Sequence, residues 1–153
     1  MEEHKLSSPM LIPSKPVGDS AVDGLLAGLV AGLAMAVLLA GVTLLRGETP
    51  AVLFSRFAFD EQTSALAGFF SHLAVSAIYG LLFALLQRLL LNHWRRGLAA
   101  MVAGLVYGLA LLALALAVIL PGAASPLLQA PPAILAAGHA LYGLVLGWML
   151  HKM

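Results

Sequence analysis

The stretch GLLAGLVAGLAMAVLLA, residues 24–40, contains no polar side chain, and the apolar run continues to Val42. A helix needs about 20 predominantly apolar residues to cross roughly 30 Å of hydrocarbon, because lipid offers no hydrogen-bond partner to free backbone groups. The run is longer than the apolar core of a signal peptide, about 7 to 15 residues, and Glu2 and Glu3 remove the positive charge that normally precedes such a core. The stretch therefore predicts a membrane-spanning helix.

Three further segments meet the same criterion, so the chain is predicted to be all-α, with four transmembrane helices in a bundle. The predicted spans are residues 23–45, 64–90, 97–120 and 131–151. Residues 1–18 are polar, contain prolines and lack periodicity, which is typical of a tail. Residues 19–153 are predicted to form one transmembrane domain.

The composition supports this class and excludes several others. The chain is 61% hydrophobic and only 10% charged, well outside the range of soluble globular proteins. Eight Lys and Arg against seven Asp and Glu leave no basic field, so we expect contact with membrane lipid and no nucleic-acid partner. The absence of cysteine excludes disulfides, thiolate metal sites and iron–sulfur clusters. We find no phosphate loop, nucleophile elbow, zinc helix or paired carboxylate, and therefore expect no enzyme activity.

The distribution of positive charge predicts the orientation, because Lys and Arg are retained on the cytoplasmic side of a membrane. With four spans, most of the basic residues fall on the side of the two termini: Lys5, Lys15, Arg88, Arg95, Arg96 and Lys152. Arg46 and Arg56 fall on the other side. Both termini are therefore expected to be cytoplasmic.

Small residues recur at intervals of four along the predicted spans. Lipid tails are as apolar as leucine, so helices in a bilayer associate through close backbone approach and a few polar contacts. The expected helix-packing residues are Gly24, Gly28, Gly32, Gly68, Ser76, Gly80, Gly104, Gly108, Gly143 and Gly147. If these faces exceed what one bundle uses, the surplus is expected to contact another subunit.

An internal repeat is also visible. GLLAGLVAGLAMAVLLA in the first span can be set against GLAAMVAGLVYGLALLA in the third, and SHLAVSAIYG in the second against GHALYG in the fourth. Because the first and third spans would run in the same direction, such a repeat of two helices would be parallel.

Two histidines lie inside the predicted spans. His72 and His139 are each about seven residues from the same boundary, roughly 10 Å deep at 1.5 Å per residue. His72 shares its helix face with Tyr79, and His139 shares its face with Tyr142. Ionisable groups at this depth usually face the bundle interior and are candidates for a functional site.

Several interpretations of this pair are open. Each imidazole can simply bond a carbonyl or hydroxyl of a neighbouring helix. The pair can instead ligate one b-type haem iron, with Gly68, Gly80 and Gly143 making room for the macrocycle. A pigment held by a single histidine, and proton or quinone handling by a histidine with a tyrosine neighbour, are further readings. No Asp or Glu lies in the core of any span, which argues against carboxylate-dependent transport.

Four short motifs carry a family resemblance: GLVAGLAM in the first span, SHLAVSAIYGLL in the second, Pro121-Gly122 after the third, and GHALYGLVLG in the fourth. The pattern resembles an uncharacterised bacterial family of small four-helix inner-membrane proteins, over most of residues 23–150. The resemblance implies a four-span bundle with two positioned histidines in a bacterial cytoplasmic membrane, and no assigned activity.

Together these observations favour a non-enzymatic integral membrane protein. The leading hypothesis is a small accessory subunit that docks onto a larger membrane assembly, such as one of electron transfer. The alternatives are a haem- or pigment-binding protein that uses His72 and His139, and a small transporter or channel.

Overall fold

A computed structural model describes residues 16–57, 64–90, 97–123 and 125–153. Its four long helices, which we call the first to fourth spans, are each long and apolar enough to cross a membrane. They are Val17–Leu45, Ala65–Leu89, Gly97–Gly122 and Pro132–Lys152. The described residues contain no β-strand. The predicted class, an all-α membrane protein with four spanning helices, is confirmed.

The first helix begins at Val17 rather than near residue 23, so the last two residues of the predicted tail are helical. This start places Asp19 in the first turn, where a negative charge interacts favourably with the helix dipole. Residues 1–15 of the predicted tail lie outside the described residues. The second and fourth helices begin and end within one residue of their predicted limits.

The third span contains one turn of wider helix. Gly97–Leu114 is α-helical, Ala115–Ile119 is π-helical, and Leu120–Gly122 resumes the α-helix. Pro121 gives a physical reason, because its nitrogen carries no hydrogen to donate and its ring crowds the preceding turn. A π turn relieves such crowding without ending the helix.

Among the described residues, two short helices lie between the spans. Pro50–Ser55 follows the first span, and a 3₁₀ turn, Pro126–Gln129, precedes the fourth. The segment around Pro50–Ser55 packs on the second span, where the Phe54 ring meets Phe69 edge-on with centroids 5.2 Å apart. This segment therefore covers the part of the second span that contains His72.

The first and second spans form a tight antiparallel pair. A methyl group placed on Gly28 would lie 2.8 Å from the Gly80 Cα, and one placed on Gly24 would lie 2.6 Å from the Ala84 Cβ. Gly32 contacts Ser76 in the same way. Residue numbers fall along one helix as they rise along the other, and only hydrogen atoms fit between the two backbones.

The third and fourth spans form a second pair of the same kind. Gly104 lies against Gly143 and Gly147, and Gly108 lies against Gly143 and the carbonyl of His139. The contacts match those of the first pair. Gly32 and Gly104 are the glycines of two VAGL motifs, residues 30–33 and 102–105. Gly32 faces Ser76, four residues after His72, and Gly104 faces Gly143, four residues after His139.

The two pairs join through the first and fourth spans. Gly138 packs against the side chains of Met35 and Leu39, and the Phe83 and Tyr107 rings connect the second and third spans with centroids 4.7 Å apart. The buried centre is mainly aliphatic and contains Ala27, Ala31, Met35, Leu39, Phe83, Ala103, Tyr142 and Leu146. The fourth span runs antiparallel to the first, so the first and third spans are parallel, as the internal repeat requires.

Candidate functional site

His72 links the first two spans. Its side chain is buried, and its Nε2 lies 3.1 Å from the carbonyl oxygen of Gly32. Because a carbonyl can only accept, Nε2 must carry the proton and donate, which leaves Nδ1 as the acceptor nitrogen of a neutral ring. Phe57 closes the site from the short-helix segment, with its ring centroid 5.0 Å from that of the imidazole.

His139 lies at nearly the same level of the bundle but is held differently. Its Nδ1 donates to the Leu135 carbonyl of its own helix over 2.9 Å. The neighbouring residue Gly138 packs on Met35, less than one helical turn along the first span from Gly32. His72 therefore connects two helices, whereas His139 is tied to its own.

The tyrosines do not pair with the histidines as the shared helix faces suggested. Tyr142 is 3% exposed, and its hydroxyl donates over 2.7 Å to the carbonyl of Ser76. Tyr79 contributes its backbone carbonyl, which accepts over 2.9 Å from the hydroxyl of Tyr107. Tyr107 was not among the predicted site residues, although it is a polar side chain in an otherwise apolar span and could have been selected on that ground.

These three hydrogen bonds connect neighbouring spans through backbone carbonyls. Interhelical bonds of this kind stabilise membrane proteins by about 0.6 to 2 kcal/mol each. Two of the three acceptors belong to small residues, Gly32 and Ser76, whose carbonyls a side chain from another helix can reach. For His72 the arrangement corresponds to the first interpretation, in which an imidazole bonds a neighbouring helix, whereas the bond from His139 stays within its own helix.

A haem between His72 and His139 does not fit this packing. Ligation through Nε2 of His72 would remove the hydrogen bond to Gly32. Gly80 and Gly143, which were expected to make room for the macrocycle, instead lie against the backbones of the neighbouring spans. Inserting a macrocycle there would separate both helix pairs. A group of three or more His, Asp or Glu placed to hold a metal ion is absent from the described residues.

A second polar cluster lies toward the ends of the spans that are farther from the histidines. Ser20, Asp23 and Gln87 line a small cavity there, and Arg88 donates through a guanidinium nitrogen to the Ser20 hydroxyl over 3.1 Å. Gln87 was not among the predicted site residues. Its signal in the sequence is a neutral polar side chain just before the charged end of the second span.

Four apolar helices, paired through glycines and joined by hydrogen bonds from buried polar side chains, define an integral membrane protein. A family model matches residues 18–153, and the chain belongs to this family, described as a family of unknown function, DUF6789. The prediction that the chain belongs to an uncharacterised family is confirmed. No curated protein and no solved structure matches the chain.

Proposed function

We propose that this protein is a non-enzymatic membrane subunit that docks onto a spanning helix of a larger membrane assembly. The observation that carries the proposal is the poor coverage of the third span. In its most apolar window of 18 residues only 17% of the residues are buried, compared with 39% in the first span and 33% in the second and fourth. This span is therefore the least covered of the four.

The glycine ridges do not provide the docking surface. Eight of the ten expected helix-packing residues are glycines used within the two helix pairs: Gly24, Gly28, Gly32, Gly80, Gly104, Gly108, Gly143 and Gly147. The docking proposal therefore depends on a different set of residues, on the outward face of the third span.

That outward face has the form that a helix contact needs. Val102 and Val106 are 40% and 62% exposed and lie one helical turn apart. Ala110, Ala113 and Ala117 are also exposed and continue along the same side of the helix. Small side chains at intervals of three and four allow another helix to approach closely, as they do inside this bundle.

The interior of the bundle supports a binding role over a chemical one. In the part of the chain that the structure describes, Gln87 Nε2 is the one buried side-chain nitrogen or oxygen that lacks a hydrogen-bond partner. The intramembrane imidazoles and the hydroxyls of Tyr107 and Tyr142 are engaged with carbonyls. Three of these four groups bond a neighbouring span, and His139 bonds its own helix, so all four are occupied in structural contacts.

The proposal includes the location and orientation of the protein. We place it in a bacterial cytoplasmic membrane with both termini cytoplasmic, as the distribution of Lys and Arg favours. The packing supports the assignment of Arg88 and the start of the first span to the same side of the membrane, since Arg88 donates a hydrogen bond to Ser20. Arg46, by contrast, follows the other end of that span.

Site-directed photo-crosslinking in native membranes tests the docking surface. A photoreactive amino acid at Val106 is compared with one at Val37 of the first span, which is 72% exposed and serves as the matched control. We expect a discrete protein adduct from position 106 and none from position 37. Ala113→Leu should weaken the adduct at position 106 without changing the thermal stability of the purified protein, because Ala113 is exposed.

Two results would contradict the proposal. The absence of a protein adduct at both positions would mean that the two faces meet only lipid. An adduct with the mass of two copies of this chain would mean that the third span mediates self-association instead of docking onto another protein.

A further inference from the structure

The side-chain amide of Gln87 is buried in the bundle, but its nitrogen lacks the hydrogen-bond partner that the other buried polar side chains in the described part of the chain have. Its side chain is 3% exposed, and its Nε2 is the buried donor without a protein partner among the described residues. Leaving an amide donor buried and unpaired is costly, because the group loses its bonds to water and gains none in return. A buried amide of this kind in a polar cavity calls for a bound partner.

A suitable partner is indicated by the cavity beside this amide. Three spans meet there, and the lining residues are Ser20, Asp23, Ala84, Gln87, Leu150 and Met153. The space among these residues has room for about one water molecule. A larger organic ligand or a lipid headgroup does not fit within it.

The charges near the cavity favour a neutral ligand. The Asp23 carboxylate lies on the cavity wall and the Arg88 guanidinium is bonded to the Ser20 hydroxyl, so the two opposite charges offset each other. A ligand that both accepts and donates hydrogen bonds meets all of these requirements. The amide of Gln87 needs an acceptor, and the oxygens of Ser20 and Asp23 can accept.

We propose that one buried water molecule occupies this cavity and joins the first and second spans. The water accepts from Nε2 of Gln87 and donates to the oxygens of Ser20 and Asp23. It is a structural site near the end of the bundle, and it does not depend on the docking role of the third span.

A crystal structure of the full chain, grown from a lipid mesophase at a resolution where ordered waters are visible, tests the site directly. We expect solvent density within hydrogen-bond distance of Nε2 of Gln87 and of an oxygen of Ser20 or Asp23. A cavity without density, in a map that shows ordered waters elsewhere on the protein, would overturn the proposal.

Thermal stability gives an independent test. Gln87→Met keeps the length of the side chain but removes the amide that holds the water. If the water is bound, the melting temperature should fall by about 2–4 °C, the change that corresponds to one lost interaction in a chain of this size. If the cavity is dry, the substitution removes an unpaired amide and the melting temperature stays the same or rises, which would overturn the proposal. Leu86→Met, on the same helix but outside the cavity lining, controls for the introduction of methionine.

Discussion

Gly28→Ala tests the packing of the first helix pair most sharply. The added methyl group would lie 2.5 Å from the carbonyl oxygen of Ser76 and 2.8 Å from the Gly80 Cα. Ordinary carbon contacts are about 3.5–4.0 Å, so the two helices would have to separate by roughly 1 Å. That separation also lengthens the hydrogen bond between His72 and Gly32, which is 3.1 Å in the intact pair.

The expected magnitude is a balance of two terms. Replacing glycine by alanine favours the helix by about 1 kcal/mol in water, whereas overpacking a closely packed contact costs about 1–3 kcal/mol. Gly41→Ala in the same helix supplies the control, because a methyl group there has no neighbouring atom within 4 Å and carries only the first term. We therefore expect Gly28→Ala to be less stable than Gly41→Ala by about 1–3 kcal/mol.

Equilibrium unfolding of both variants in mixed micelles, followed by circular dichroism, measures this difference. The comparison between two alanine variants of one helix cancels the effect of the helix preference of alanine. If Gly28→Ala were as stable as Gly41→Ala, the two backbones would not be in the contact described, and the account of the paired spans would be wrong.

Three further predictions concern the polar groups and the orientation. Tyr142→Phe should lower the free energy of unfolding by about 0.6–2 kcal/mol, because it removes the hydrogen bond to the Ser76 carbonyl. Tyr79→Phe should have little effect, since Tyr79 accepts through its backbone carbonyl, and similar losses for both variants would contradict these hydrogen-bond assignments. The protein purified from cells supplied with haem should show no Soret band, and a band that disappears in His72→Leu would reverse the conclusion that haem does not fit the packing. Alkaline phosphatase, which is active only outside the cytoplasm, should be inactive when fused to either terminus, and activity at one terminus would refute the proposed orientation.

The spans could be predicted because their signal is large and local. A run of about 20 apolar residues has few alternatives to a membrane helix, and proline at the start of the fourth span marks its first turn. The earlier start of the first helix was missed because Asp19 and Asp23 interrupt the apolar pattern. Charge ends an apolar run, but it does not end a helix whose first turn it stabilises.

The contacts of the polar side chains could not be predicted in the same way. The acceptors for His72, Tyr142 and Tyr107 are backbone carbonyls, and every residue carries one. Which carbonyl is reached depends on the rotation of each helix about its own axis. The sequence places Tyr79 on the face of His72, but only the packed structure shows that its carbonyl, and not its hydroxyl, holds the third span.

The same uncertainty applies to the small residues. Their spacing identifies helix faces that allow close approach, without saying which face meets which. In the structure the glycine faces of consecutive spans pack against each other, the first against the second and the third against the fourth. The small residues that stay exposed on the third span include Ala110, Ala113 and Ala117.

The pairing of spans that are adjacent along the chain has a consequence for biosynthesis. Each tight contact joins a helix to the next spanning helix, so the first hairpin can close in the membrane before the ribosome has made the third span, and the second hairpin can close as soon as its own partner emerges. The contact of Gly138 with Met35 and Leu39 and the bond from Tyr142 to Ser76 then form last, when two finished hairpins meet. The packing thus allows stepwise insertion, in which an error in the second hairpin leaves the first one intact.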